Sequence, residues 1–231
     1  MDFSVIADNL ELYLEGLATT VSLVAAALVI GLCLAVPLGI VQSSRNPLLR
    51  LPVFCFSYFF RGTPLLVQAF LIYYGAGQFA AVQGSLLWPI LREAYWCALI
   101  AFSLNTAAYT TEILRGAIVA APYGEIEAAW ACGMSRAVTM RRIILPGAFR
   151  RALPAYGNEV IFMLHGSAIA SVITLIDLTG AARMINARYY TPYEAFLTAA
   201  AFYMALTFLI VGGFRLLERK WYAHLRARDQ R

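Results

Sequence analysis

Glu127-Ala128-Ala129, then Gly133, then Ile143-Ile144-Leu145-Pro146 lie in the longest charged interval of an otherwise apolar chain. Between Arg115 and Glu159 stand Arg136, Arg141, Arg142, Arg150 and Arg151, and long apolar runs flank the interval on both sides. Basic residues gathered between apolar runs read as the cytoplasmic loop of a multi-pass membrane protein. The rest of the chain has to bear that out.

Composition points the same way. The chain has 231 residues, 61% hydrophobic and 13% charged, whereas soluble domains carry about 25% charged residues. The net charge of +5 comes from arginines at the ends of apolar runs, which suits a membrane surface and argues against a nucleic-acid partner. Cys33, Cys55, Cys97 and Cys132 show neither metal-site nor disulfide-framework spacing. The one lysine is Lys220 and no G-x-x-x-x-G-K-[ST] run exists, so a nucleotide would have to be held by another chain.

The apolar runs set the topology. Residues 1–15 carry Asp2, Asp8, Glu11 and Glu15 and no Lys or Arg, the reverse of a signal peptide's basic start. Phe3, Ile6, Leu10 and Leu14 predict one face of a short interfacial helix. Residues 16–42 are uncharged and long enough to span. Arg45 and Arg50 then make a basic turn, which places the N-terminus outside. Residues 177–194 are charge-balanced and read as an outer loop, and Arg215, Arg219, Lys220, Arg226, Arg228 and Arg231 place the C-terminus inside. The expectation is an all-α integral membrane fold, one domain over 1–231. Its five transmembrane helices fall at about 16–42, 52–77, 94–115, 154–176 and 195–216, with a cytoplasmic two-helix coupling loop at about 120–146.

Local signals refine this. Arg61-Gly62-Thr63-Pro64 interrupts the second run, giving one broken helix or an interfacial helix followed by a span. Thr63 suits an N-cap and Pro64 a first helical position. Asn105, Tyr109 and Glu112 share a helix face, and Glu112 and Arg115 are spaced to pair. In the central loop, residues 124–132 predict a short helix ended by Gly133 in the left-handed conformation. Ser135 caps a second helix that runs through Ile143 and stops before Pro146. Two short helices joined at a glycine make a compact knob, able to dock in a groove and pass on rigid-body motion. The alternative is an amphipathic loop that only holds charge at lipid headgroups.

The spacing of Glu127-Ala128-Ala129, Gly133, Ile143 and Leu145-Pro146 resembles the EAA loop of bacterial ABC importer permeases. Arg61-Gly62-Thr63-Pro64-Leu65, the run from Asn105 through Ala108, Tyr109, Glu112, Arg115 and Gly116, and Gly157-Asn158-Glu159 resemble the polar amino-acid permease family. The likeness is greatest to its M-type branch in histidine/lysine/arginine/ornithine importers. The resemblance implies a bacterial inner-membrane protein that is not itself an enzyme. It implies a second, Q-type permease as heterodimer partner, two ATPase subunits that hold ATP and Mg, and a periplasmic amino-acid-binding protein. No cofactor is expected in this chain. Glu127, Ala128, Ala129, Gly133, Leu145 and Pro146 would dock the ATPase. One departure stands out: where many relatives read Leu-Lys-x-Thr-Ser-Leu, this chain has Leu164-His165-Gly166-Ser167-Ala168-Ile169. Loss of that lysine eases passage of a cation.

Polar groups at membrane depth are costly and mark function. The substrate-binding candidates are Gly62, Thr63, Pro64, Gln68, Asn105, Tyr109, Glu159 and His165. Free N–H groups after Thr63-Pro64 would suit a carboxylate, and Glu159 would be the counter-charge for a substrate ammonium or cationic side chain. Each has a structural alternative. The break would only kink the helix while Arg61 snorkels, Asn105 would bond between helices, Glu159 would pair with Arg150 or Arg151, and His165 would be an interface histidine. The function expected is ATP-driven import of basic amino acids, with opines or polar uncharged amino acids as alternatives. An autonomous channel or carrier would need an internal repeat or charge relay, and a membrane enzyme would need a nucleophile or metal constellation. Neither pattern is present.

Overall fold

The computed structural model describes residues 4–221, with no strand among them. The helices are α1 (Ser4–Asp8), α2 (Leu10–Gln42), α3 (Pro47–Gly62), α4 (Leu65–Phe70), α5 (Ala80–Gln83), α6 (Trp88–Leu91), α7 (Ala94–Val119), α8 (Tyr123–Ala131), α9 (Arg136–Thr139), α10 (Leu145–Gly166), α11 (Leu178–Tyr189) and α12 (Pro192–Trp221). π-turns extend α4 (Leu71–Gly75) and follow α9 (Met140–Ile144), and a 3-10 segment (Ser167–Ile173) follows α10. Helices α2, α7 and α12 are each long and apolar enough to cross a membrane. Two bent pairs raise the number of candidate spans to five: Pro47–Gly62 with Leu65–Gly75, at 102°, and Arg136–Ile173 with Leu178–Tyr189, at 47°.

The fold is built around α2 against α7. Ala27, Gly31, Ala35 and Gly39 recur every four residues along α2 and are all buried. Small residues let two helix backbones approach closely, which is the main source of packing where no hydrophobic effect acts. A Cβ on Gly31 would collide with Thr106 Cγ2 and lie 3.2 Å from the Ser103 carbonyl oxygen; on Gly39 it would lie 3.1 Å from Leu114 Cβ. Around this seam Leu23, Phe102, Leu164 and Ile173 form the central core, and Ala35, Leu114, Ala117 and Ala148 a second core toward the central loop.

Several expectations need correction. The N-terminal residues do not form a separate amphipathic helix that includes Leu10 and Leu14. Both belong to α2, exposed, and only Ile6 of that set is buried on α1; Phe3 lies outside the described residues. Tyr13 decides this: fully buried, it donates to the Ala195 carbonyl at 2.8 Å and fixes the first turns of α2 against α12. Residues 177–194 are not simply a loop. Asp177 caps α11 by accepting from the Gly180 N–H at 2.7 Å, and Leu178, Ala181, Ala182 and Ile185 bury a helical stripe against Tyr13 and Ala195. Charge counting missed the stripe because Arg183 and Arg188 sit on the other face.

Thr63 is not the cap of the second half-helix. Pro64 occupies that position without a side-chain bond, and the Thr63 hydroxyl donates back to the Phe59 carbonyl at 2.9 Å. Pro154, where the fourth span is expected to begin, lies inside α10 rather than at a helix start. The largest difference concerns Pro146, where the helix does not stop. The Leu145 N–H reaches back to the Met140 carbonyl in a π-turn, and Pro146, in the first turn of α10, has no N–H to lose. Arg136–Ile173 is therefore one continuous helical element. Arg226, Arg228 and Arg231, part of the C-terminal basic signal, lie outside the described residues.

Candidate functional site

The break after Gly62 strips helical partners from the carbonyls of Phe60, Arg61 and Thr63, and side chains replace them. Gln68 Nε2 donates to Phe60 O (2.8 Å), Thr63 O (3.0 Å) and Thr63 Oγ1 (2.8 Å). Asn105 Nδ2 donates to Phe60 O (3.2 Å) and to Gln68 Oε1 (3.1 Å), and the Tyr109 hydroxyl donates to Arg61 O (3.4 Å). Broken backbone is tolerated at membrane depth when its polar groups are satisfied in this way. Gln68 is consumed by this task and turned into the protein, only 4% exposed. Gln68→Leu removes the main donor, and the expected result is a loss of about 1–3 kcal/mol, read as a lower thermal midpoint of the purified protein.

Beside the break lies a cavity of about 510 Å³ lined by Leu65, Asn105, Tyr109, Ile113, Ala155, Asn158, Glu159, Phe162, Met163 and Gly166. Three of the sequence candidates, Asn105, Tyr109 and Glu159, come together here. Glu159 is 6% exposed. It does not depend on Arg151, whose Nε instead donates to the Ala117 carbonyl at 3.1 Å. Arg61 stands over the Tyr109 ring, 5.4 Å from its centroid. The cavity thus offers a carboxylate, amides and aromatic surface, and Arg61 stacks on one of its lining rings. Gly62, Thr63 and Pro64 form the adjoining break rather than the wall, and Leu65, first residue of α4, is the wall residue on that side.

His165 is not brought to this cavity. It lies within 3.1 Å of Thr207 Oγ1 and lines a second hollow of about 480 Å³ with Ala200, Tyr203 and Phe208. Glu112 pairs with Arg115 (2.9 Å) as its spacing predicts, and also accepts from the Gln42 amide of α2, so it serves the α2–α7 contact. The residues missed from the sequence are Asn158 and Phe162. Both follow from the helical period through Ala155, Glu159 and Gly166, and Asn158 adjoins the residue already chosen. Among the described residues no group of three or more His, Cys, Asp or Glu stands together as a metal site.

In the central loop, α8 and α9 flank Gly133. The Gly133 N–H donates to Trp130 O (2.9 Å) and the Met134 N–H to Ala129 O (3.0 Å), with Gly133 at φ +77°. This pair of bonds satisfies the last carbonyls of α8 and needs a left-handed residue at Gly133. Ser135 caps α9 by accepting from the Val138 N–H. Glu127, Ala128, Gly133 and Pro146 are exposed, Leu145 is half-buried and Ala129 is buried. Tyr123 and Trp130 add exposed aromatic surface, 63% and 44% accessible. A surface of this kind, apolar and uncovered, suits a partner.

The family model described as "Binding-protein-dependent transport system inner membrane component" matches residues 27–222. An octopine transport system permease protein of Rhizobium meliloti is 46% identical over 89% of this chain and 84% of its own. A nopaline transport system permease protein of Agrobacterium fabrum is 42% identical over 99% and 95%. A histidine/lysine/arginine/ornithine transport system permease protein of Salmonella typhimurium is 46% identical over 91% and 90%. Among solved structures, an amino acid ABC transporter crystallised with histidines superposes with a TM-score of 0.85 at 35% identity, covering 95% of this chain and 99% of that one. The inward-facing MetNI methionine ABC transporter shares the fold at 18% identity and a TM-score of 0.73, covering 92% and 97%. Sequence and fold agree along nearly the whole length, and the chain belongs to the family of binding-protein-dependent transport system inner membrane components.

Proposed function

We propose that this chain is the permease subunit of an ATP-driven importer for cationic amino acids, working by alternating access in a bacterial inner membrane. The observation that carries the substrate reading is Glu159, a carboxylate buried in the cavity wall beside Asn105 and Tyr109. A carboxylate there attracts an ammonium or guanidinium and disfavours an acidic ligand. The opine reading stands second, since the octopine and nopaline permeases are as similar as the histidine/lysine/arginine/ornithine one.

The mechanism follows from the rod that joins knob to cavity. In this reading the N-terminus is outside and the knob inside, where Glu127, Ala128, Ala129, Gly133, Leu145 and Pro146 meet one of two ATPase subunits that hold ATP and Mg. Closure of those subunits moves the knob. Because α10 starts at the knob and carries Glu159 roughly 20 Å further on by helical rise, the motion reaches the cavity along one helix, with Pro154 as the one internal proline on the way. A second permease of the Q type supplies the opposite wall, with His165 and its hollow on the side available to that partner, and a periplasmic binding protein delivers substrate.

Uptake of labelled arginine by cells carrying all subunits tests this. Lysine, ornithine, histidine and octopine are expected to compete, and glutamine is not. Glu159→Gln is expected to cut arginine uptake at least about tenfold, the size of effect seen when one member of a desolvated charge pair is removed, with normal assembly. Intact uptake in assembled Glu159→Gln would refute the counter-charge role.

A further inference from the structure

A carboxylate as buried as Glu159 can carry its charge only at a cost that a neighbouring cation offsets, and between substrates no ligand supplies that cation. Arg61 is placed to meet that need. Its backbone carbonyl is held by the Tyr109 hydroxyl (3.4 Å), which fixes the root of the side chain beside the cavity. Its guanidinium stands on the Tyr109 ring, 5.4 Å from the centroid. Tyr109, the ring on which Arg61 stands, and Glu159 line the same cavity. Yet Arg61 is exposed and within 4 Å of no carboxylate among the described residues, so it is held loosely. An aromatic face and a carboxylate are also the two elements that recognise a free guanidinium.

We propose that Arg61 is the resident cation of the empty cavity, occupying the Tyr109 face near Glu159 until the cationic side chain of the substrate displaces it. Arg61 is then a specificity-determining residue. A guanidinium substrate replaces like with like, whereas a neutral isostere cannot take over the charge. The inference rests on the reading that the substrate cation meets Glu159. Occupancy by Arg61 weakens apparent substrate affinity by the fraction of time the site is free, which favours release after translocation.

The test is binding of labelled L-arginine and L-citrulline to the complete detergent-purified transporter, without binding protein, for wild type, Arg61→Gln, Arg61→Lys and Glu159→Gln. Arg61→Gln is expected to tighten arginine binding about 5–10-fold by freeing the ring, whereas for citrulline the freed ring is offset by a Glu159 left without any cation, so its affinity stays within about twofold. Arg61→Lys, which keeps the charge but loses the planar stack, falls between. Weaker binding of both ligands would show Arg61 holding the substrate carboxylate instead and would overturn the proposal. Unchanged arginine affinity, or equal tightening of both ligands, overturns it as well. Glu159→Gln separates the two levels. If it leaves arginine binding unchanged, the underlying substrate reading fails. If it weakens arginine binding while Arg61→Gln does nothing, only the resident-cation role fails.

Discussion

Leucine in place of Gly31 is expected to leave little or no folded protein in the membrane. At Gly31 α2 and α7 approach closely: its missing Cβ faces Thr106 Cγ2, the Ser103 carbonyl oxygen and the Ala107 nitrogen. Thr106 is 1% exposed and has nowhere to turn, and the other two atoms are backbone. Overpacking a core typically costs about 1–3 kcal/mol where side chains can shift. Here whole helices must separate, and the Ala27, Gly31, Ala35 and Gly39 contacts are lost together. Gly212→Ala is the matched control, since a Cβ there meets nothing within 4 Å. Size-exclusion profiles of the tagged protein from membranes give the readout: a monodisperse peak for Gly212→Ala, and aggregate or no peak for Gly31→Leu. A wild-type profile for Gly31→Leu would show that the α2–α7 seam is wrongly drawn.

Inserting two glycines between Ile144 and Leu145 is expected to abolish transport while sparing substrate binding. The insertion falls between the π-turn and α10, where the helix passes the Leu145 N–H to Met140 and continues across Pro146. Glycine costs roughly 1 kcal/mol per residue in a helix, so two in succession turn a stiff joint into a hinge. The knob keeps its own bonds at Gly133 and Ser135, and the cavity keeps Asn105, Tyr109 and Glu159. Transport is expected to fall at least about tenfold, a barrier change of about 1.4 kcal/mol or more. Arginine binding by the purified complex should stay within about twofold. Undiminished transport would mean that the knob acts through another element.

The contrast between Gly133 and Pro146 shows what was legible in the sequence. Gly133 was readable because a helix end needs a left-handed residue, a local rule that nothing distant overrides. Pro146 was misread because proline usually ends a helix, and the π-turn that accommodates it leaves no composition signal. The same division runs through the site. Asn105 and Tyr109 share a face by helical period alone, and burial of Glu159 followed from its place beside an apolar run. Gln68 was assigned to substrate, but its amide is taken up by carbonyls that a 102° bend leaves open, a consequence visible only in three dimensions. Helix α11 was hidden by two arginines on its outer face, although Leu178, Ala181, Ala182 and Ile185 carried the period.

The most direct test of the central claim is accumulation of labelled arginine by proteoliposomes holding this chain, its partner permease and the ATPase subunits, with binding protein on the substrate side. The account predicts accumulation against the gradient that requires ATP and stops when the ATPase subunits are left out. Arginine crossing at the same rate through the permease chains alone would contradict it.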